Sequence, residues 1–123
     1  MKGDPLTLER LKQESRSEIA IPQPACAEIE YGIERLPKSK RKVLLKERWE
    51  TVSETFARSL WTDEVSECFG EIKAALERKG ERIEDFDAAI AAHALTNGAV
   101  LVTANRKHMT RVPGLMVEDW SRV

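Results

Sequence analysis

An alanine-rich helical stretch from Asp85 to Asn97, followed at once by an unbroken apolar run, constrains the fold more than any other feature of this sequence. Asn97-Gly98 supplies a helix C-terminal stop. Ala99-Val100-Leu101-Val102-Thr103 then has the continuous apolar pattern of a strand covered on both faces. A helix that feeds directly into such a strand is one half of a parallel α/β repeat.

The rest of the chain repeats that alternation. Asp4-Pro5 reads as a cap and first-turn proline for a short helix carrying Leu6, Leu8 and Leu11. Ile19-Ala20-Ile21 reads as a buried strand stopped by a turn at Pro22 and Pro24. Ala25, Ile29, Ile33 and Leu36 recur at helical spacing before Pro37. A second helix starts near Lys38 and runs through Val43, Leu44, Trp49, Val52 and Phe56. Leu60-Trp61 is a candidate strand, and Asp63 is placed to cap a helix through Val65, Phe69, Ile72 and Leu76 that ends at Lys79-Gly80. Met116-Val117 is a last short strand before Trp120. Trp49, Phe56 and Phe69 fall at core positions. The pattern predicts one α/β domain around a mainly parallel sheet, with no internal repeat and no linker.

Charge narrows the function classes. Among 123 residues, 20 Lys and Arg stand against 21 Asp and Glu, which excludes a polybasic arm as the main feature. With 41% hydrophobic and 33% charged residues the chain is neither disordered nor membrane-spanning, and no run approaches the roughly 20 apolar residues of a bilayer span. No export signal is visible at the N-terminus, so a cytoplasmic protein is expected. Cys26 and Cys68 form no C-x-x-C pair, and His93 and His108 have no zinc spacing. No serine or cysteine sits in a nucleophile-elbow context. The basic cluster Lys38, Lys40, Arg41 and Lys42 reads first as a solvated helix start, and second as a surface for an RNA backbone.

Three polar residues stand out against this background. On a helical wheel of about 100° per residue, Asp87 falls in the middle of the apolar stripe formed by Ala91, Ala94, Ile90 and Leu95. Burying an unpaired carboxylate costs on the order of several kcal/mol, so Asp87 needs a partner, a cation or a capping role at its own helix end. Asp85 is the more ordinary cap. Glu28 lies at the edge of the preceding helix's apolar stripe, whereas Glu30 and Glu34 face solvent. Asn105 emerges at the carboxyl end of the Ala99–Thr103 run. Ligands of open α/β sheets bind at that end of the strands, so two acids and an amide could converge there and present oxygen to a hard cation such as Mg²⁺.

Glu28 in AEIEYGIERLP, Asp87 in FDAAIAAHAL, the run ALTNGAVLVTANRKHM and the ending VPGLMVEDW together resemble the PIN-domain toxins of type II toxin–antitoxin modules, the VapC group. The resemblance covers nearly the whole chain, in order. It implies an α/β/α sandwich around a parallel sheet, formed as a single domain over residues 1–123. It further implies a Mg²⁺-dependent endoribonuclease, with Mn²⁺ as an alternative ion, held inactive by a VapB-like antitoxin and expected to form a homodimer. Motif by motif, Glu28 matches the acid after the second strand, Asp87 the acid that opens the late helix, and Asn105 the Asp or Asn after the T-x step. Glu28, Asp87 and Asn105 are thus the implied catalytic set, with Glu28 and Asp87 as metal ligands.

Two features depart from that family's pattern. The family's first strand, which ends in a D-T/S-N/S motif and lies at the centre of the sheet, has no counterpart, and Asp4 does not replace its Asp. The expectation is that the native gene starts upstream or that this form is an altered remnant, with Mg²⁺ bound weakly by Glu28 and Asp87. In addition, His108-Met109 stands where an acid and an aromatic are usual. The competing expectation is a catalytically silent PIN-like domain that still binds an antitoxin or RNA. A small helical interaction module would require the motif matches to be coincidence.

Overall fold

Strand pairing is parallel in both pairs found within residues 19–119, the part of the chain that the computed structural model describes. The helix expected around Leu6, Leu8 and Leu11, and Trp120, lie outside those residues. Two compact units divide the chain, one ending at Leu60 and the other beginning at Trp61.

In the first unit, β1 (Ala20–Pro22) pairs with β2 (Ala57–Ser59), Ile21 opposite Arg58. Parallel neighbours need a long crossover, here supplied by α1 (Gln23–Glu34) and α2 (Lys40–Thr55). No turn separates β1 from α1. Pro22 is the N-cap in an extended conformation and Pro24 falls in the first helical turn, where a missing N–H costs nothing. Ser39 caps α2, its Oγ accepting from the Lys42 amide at 3.1 Å. Lys42 is not simply solvated: its Nζ donates to the Glu34 and Leu36 carbonyls, each at 3.1 Å, and so closes the end of α1. Ile21, Ile33 and Trp49 form the buried core, with Ile29, Val52 and Phe56 packed against it. Glu30 is exposed as expected, yet it accepts the Trp49 indole N–H at 2.9 Å and fixes that ring.

The strand expected at Leu60-Trp61 forms three residues earlier. Phe56 leaves α2 in an extended conformation, so the chain pairs with β1 at once. Trp61 instead donates from its indole to Ser66 Oγ at 2.7 Å and packs edge-on against His93.

In the second unit, α3 (Asp63–Arg78) packs against α4 (Asp85–Thr96). Thr62 rather than Asp63 caps α3, accepting from the Val65 amide at 3.2 Å. Both helices end as the sequence indicates, at glycines with left-handed φ of 68° and 60°, Gly80 and Gly98. At each end the glycine N–H and the following N–H turn back onto the last-turn carbonyls, satisfying groups the helix leaves unpaired. β3 (Leu101–Val102) then pairs with β4 (Val117–Glu118) across a connection containing the four-residue α5 (Arg106–Met109). The strand is shorter than the apolar run. Only its Leu101 is buried, while Val100 and Val102 are 42% and 37% exposed, so one face is open where cover on both was expected.

The core of this unit is built from Val65, Ile72 and Leu76 of α3 and the alanines of α4, with Leu101, Met109 and Val112. Ala88, Ala91 and Ala92 are at most 1% exposed, and their small side chains let the two helices approach closely. Both cysteines are free, and among the described residues no helix is long and apolar enough to cross a membrane.

Candidate active site

Asp87 sits in the first turn of α4, and its carboxylate is not spent on its own helix end. Glu84 is the N-cap, without a side-chain capping bond, and Asp87 Oδ2 instead accepts from Asn105 Nδ2 at 3.2 Å. Asp85 pairs with Lys73 of α3 at 3.1 Å. The capping alternative for Asp87 therefore gives way to a tertiary contact.

Asn105 is brought there by backbone chemistry at the end of β3. Thr103 Oγ1 accepts the Asn105 amide at 3.0 Å, a local turn that bends the chain as it leaves the sheet. Asn105 then becomes the N-cap residue of α5, whose Met109 is buried 2% exposed in the core. On the other side, Arg111 donates to the Arg82 carbonyl at 2.9 Å and ties this connection to the loop before α4. The connection that carries Asn105 is thus held before and after α5.

The electrostatics around Asp87 are strained toward negative. Burial pushes its carboxyl above the ordinary 3.8, the Glu84 carboxylate three residues earlier raises it further, and His108 of α5 pulls it back. Neither neighbour was singled out as part of the site from the sequence. Glu84 was legible as an i, i+3 neighbour on the same helix, and His108 only as a departure from a family pattern.

His93, which the sequence puts off the Asp87 face, is a packing residue: it is buried against the Trp61 ring, centroids 5.6 Å apart and nearly perpendicular, and burial lowers its pKa from 6.5. Of the three expected site residues, the structure brings Asp87 and Asn105 together. Glu28 lies in the other unit and is exposed on α1, beside the partly buried Ala25, Ile29 and Gly32. Among the described residues no group of three or more His, Cys, Asp or Glu side chains is assembled. The groups that do meet are a carboxylate and an amide whose nitrogen faces it, so the ligand chemistry they offer is carboxylate oxygen, which suits a hard divalent cation better than a thiophilic metal.

Comparison with known proteins decides the family of the chain. The sequence pattern of the PIN domain matches residues 2–115. This chain belongs to the PIN-domain family. Within it, the chain is similar to Ribonuclease VapC2 of Rickettsia felis, 35% identical over 107 residues that cover 85% of this chain and 75% of the relative. It is also 29% identical, over 98% of this chain and 89% of the relative, to a protein of Shigella flexneri named tRNA(fMet)-specific endonuclease VapC. Among solved structures, DNA-bound VapBC from Salmonella typhimurium superposes with a TM-score of 0.81 at 28% identity, covering 94% of this chain and 85% of that one. The PIN assignment agrees with the α/β elements and parallel pairing described above, and VapC-type PIN proteins are ribonucleases that depend on a divalent cation.

Proposed function

We propose that this PIN domain, taken as a single domain over residues 1–123, is the endoribonuclease toxin of a type II toxin–antitoxin module. It hydrolyses RNA phosphodiester bonds with a divalent cation, Mg²⁺ in the first instance and Mn²⁺ as its substitute. Its partners are RNA, a VapB-like antitoxin and a second copy of itself, and it acts in the cytoplasm. The observation that carries the reading is the Asp87–Asn105 contact at the carboxyl end of β3, in a chain that matches the PIN pattern. The partner is supported by the Salmonella typhimurium structure, which is a VapBC complex.

Glu28 and Asp87 are the ligands this reading assigns to the cation. Asp87 fits the role on its own chemistry, being a desolvated carboxylate pressed by a second acid, Glu84, whose repulsion a cation relieves. When bound, a divalent cation acidifies a water and offsets charge on the phosphate. Asn105 is a positioning residue: its amide N–H holds one Asp87 oxygen at 3.2 Å and leaves the other free to face a ligand. Desolvation at Asp87 strengthens every charge interaction made there.

The test is cleavage of a structured RNA, with tRNA first because of the activity for which the Shigella flexneri relative is named. It is run with Mg²⁺, with Mn²⁺ and with EDTA, on the parent and on Asp87→Asn. Cleavage is expected with either metal, with none in EDTA and a loss of at least about 100-fold in the variant. Cleavage that resists EDTA, or that Asp87→Asn leaves intact, overturns the metal reading. A chain that binds an antitoxin peptide but cuts nothing is the silent PIN-like domain.

A further inference from the structure

Asp87 and Asn105 meet where two helices start, and a third side chain at that meeting has no part in the chemistry proposed above. Glu84 is the N-cap of α4, so Asp87 is its third helical residue; Asn105 is the N-cap of α5, so His108 is the third residue of that helix. Helical side chains lean toward the N-terminus, and residues three apart stand about 5–6 Å from one another at Cβ. The Asn105–Asp87 hydrogen bond at 3.2 Å therefore brings the His108 ring and the Asp87 carboxylate to one place. Burial and charge agree with that placement. His108 is half-buried where Arg106 and Lys107 are exposed, and it is the group that pulls the raised Asp87 carboxyl back down. Among the described residues no hydrogen bond engages its ring. All of these residues belong to the unit that begins at Trp61.

We propose that His108 is a ligand of the divalent cation held at Asp87, an imidazole nitrogen joining carboxylate oxygen, and that this donor makes the site select Mn²⁺ over Mg²⁺. The inference rests on the metal-dependent ribonuclease reading and deepens it by naming a further ligand and the ion it favours. Mg²⁺ binds through oxygen and sheds its waters reluctantly, so an imidazole adds little to its hold. Mn²⁺ accepts carboxylate oxygen as Mg²⁺ does but stands in the first-row series whose members take imidazole nitrogen. A ligating imidazole is neutral, and so it supplies a donor without adding to the repulsion that Glu84 already exerts on Asp87.

The test reads the bound ion rather than the reaction. Mn²⁺ is titrated into the untagged 123-residue chain and followed by electron paramagnetic resonance, first alone and then against rising Mg²⁺. Pulsed measurement on the bound Mn²⁺ reports a coordinated imidazole as a nitrogen modulation. The chain has two histidines, and His93 is buried against Trp61, so that modulation belongs to His108. His108→Ala is expected to abolish it and to weaken Mn²⁺ binding by at least about 10-fold. His108→Glu, which restores an all-oxygen donor set, is expected to abolish the modulation, to keep Mn²⁺ and to let Mg²⁺ displace it at about 10-fold lower concentration than in the parent.

Bound Mn²⁺ without the modulation, or a His108→Ala chain that binds it like the parent, overturns the ligand assignment. Parental Mg²⁺ competition in His108→Glu overturns the selectivity. Thermal unfolding by circular dichroism checks that each variant is folded, and Mn²⁺ retained by His108→Glu separates a lost donor from a damaged site. Asp87→Asn tells this inference from the reading beneath it. If Mn²⁺ binding needs Asp87 but ignores His108, this inference alone fails. If the parent holds no Mn²⁺, or Asp87→Asn holds it equally well, the metal reading falls with it.

Discussion

The two units hold their site residues in unlike ways. Before Leu60, three buried side chains, Ile21, Ile33 and Trp49, carry the core, and α2 leaves Val43 and Leu44 57% and 46% exposed. Glu28 is exposed on α1 in that unit. After Trp61, the core runs continuously from α3 through the alanines of α4 to Leu101, Met109 and Val112, and Asp87 and Asn105 sit on elements that core fixes. A carboxylate can be kept desolvated and still aimed only where its backbone is over-determined by packing. The Asp87–Asn105 contact accordingly lies in the second unit.

Core truncation probes the contrast most strongly. Leu76→Ala removes a side chain that is 1% exposed and is expected to cost about 2–5 kcal/mol in urea unfolding. Ile33→Ala, at 9% exposure in a core of three buried side chains, is expected at the lower end of that range. Equal costs would mean that the smaller core is as tightly packed as the larger one. Next is Asn105→Ala, which leaves Asp87 in place but releases its orientation. Cleavage is expected to fall by about 10- to 100-fold with little change in unfolding midpoint, and a variant with parental activity would remove Asn105 from the site.

Gly98→Ala attacks the join between α4 and β3. With φ at 60°, an added Cβ forces strain of about 1–2 kcal/mol, although nothing lies near enough to clash. Unfolding at the parental midpoint would show that the chain takes another path out of α4.

The smallest effect is the dependence of stability on pH, where two residues of α4 act in opposite directions. The folded state holds the Asp87 proton above the ordinary 3.8, so ionised Asp87 opposes folding and its contribution improves as pH falls through the raised value. The folded state disfavours the charged form of His93, so stability fully present above 6.5 is lost as pH falls through the depressed value. Asp87→Asn should therefore raise the unfolding temperature near neutral pH and lose that advantage in acid, whereas His93→Gln should flatten the loss below 6.5. Parallel pH curves for parent and variants would remove both assignments.

The sequence was informative where local chemistry and burial agree. Asn97-Gly98 and Lys79-Gly80 end their helices because a left-handed glycine lets the chain satisfy its own last carbonyls, a requirement that involves no distant residue. It was less informative at the strands. Leu60-Trp61 looks strand-like, yet pairing falls at Ala57–Ser59, because register depends on a partner about forty residues away that local propensity does not see. The same limit hid the roles of Lys42 and Glu30, whose hydrogen bonds lie across helices.

By itself the sequence determined the alternation of helix and strand, the helix ends, and the three residues Glu28, Asp87 and Asn105 that carry the PIN resemblance, because periodicity, caps and motif order are properties of the chain as written. Only the tertiary structure decided that Asp87 accepts its hydrogen bond from Asn105 rather than from its own helix, and that burial raises its carboxyl while His108 pulls it back. Those are contacts between α4 and the far end of β3, fixed by how the alanines of α4 pack against α3 and by the turn at Thr103, and no pattern along the chain encodes a distance between them.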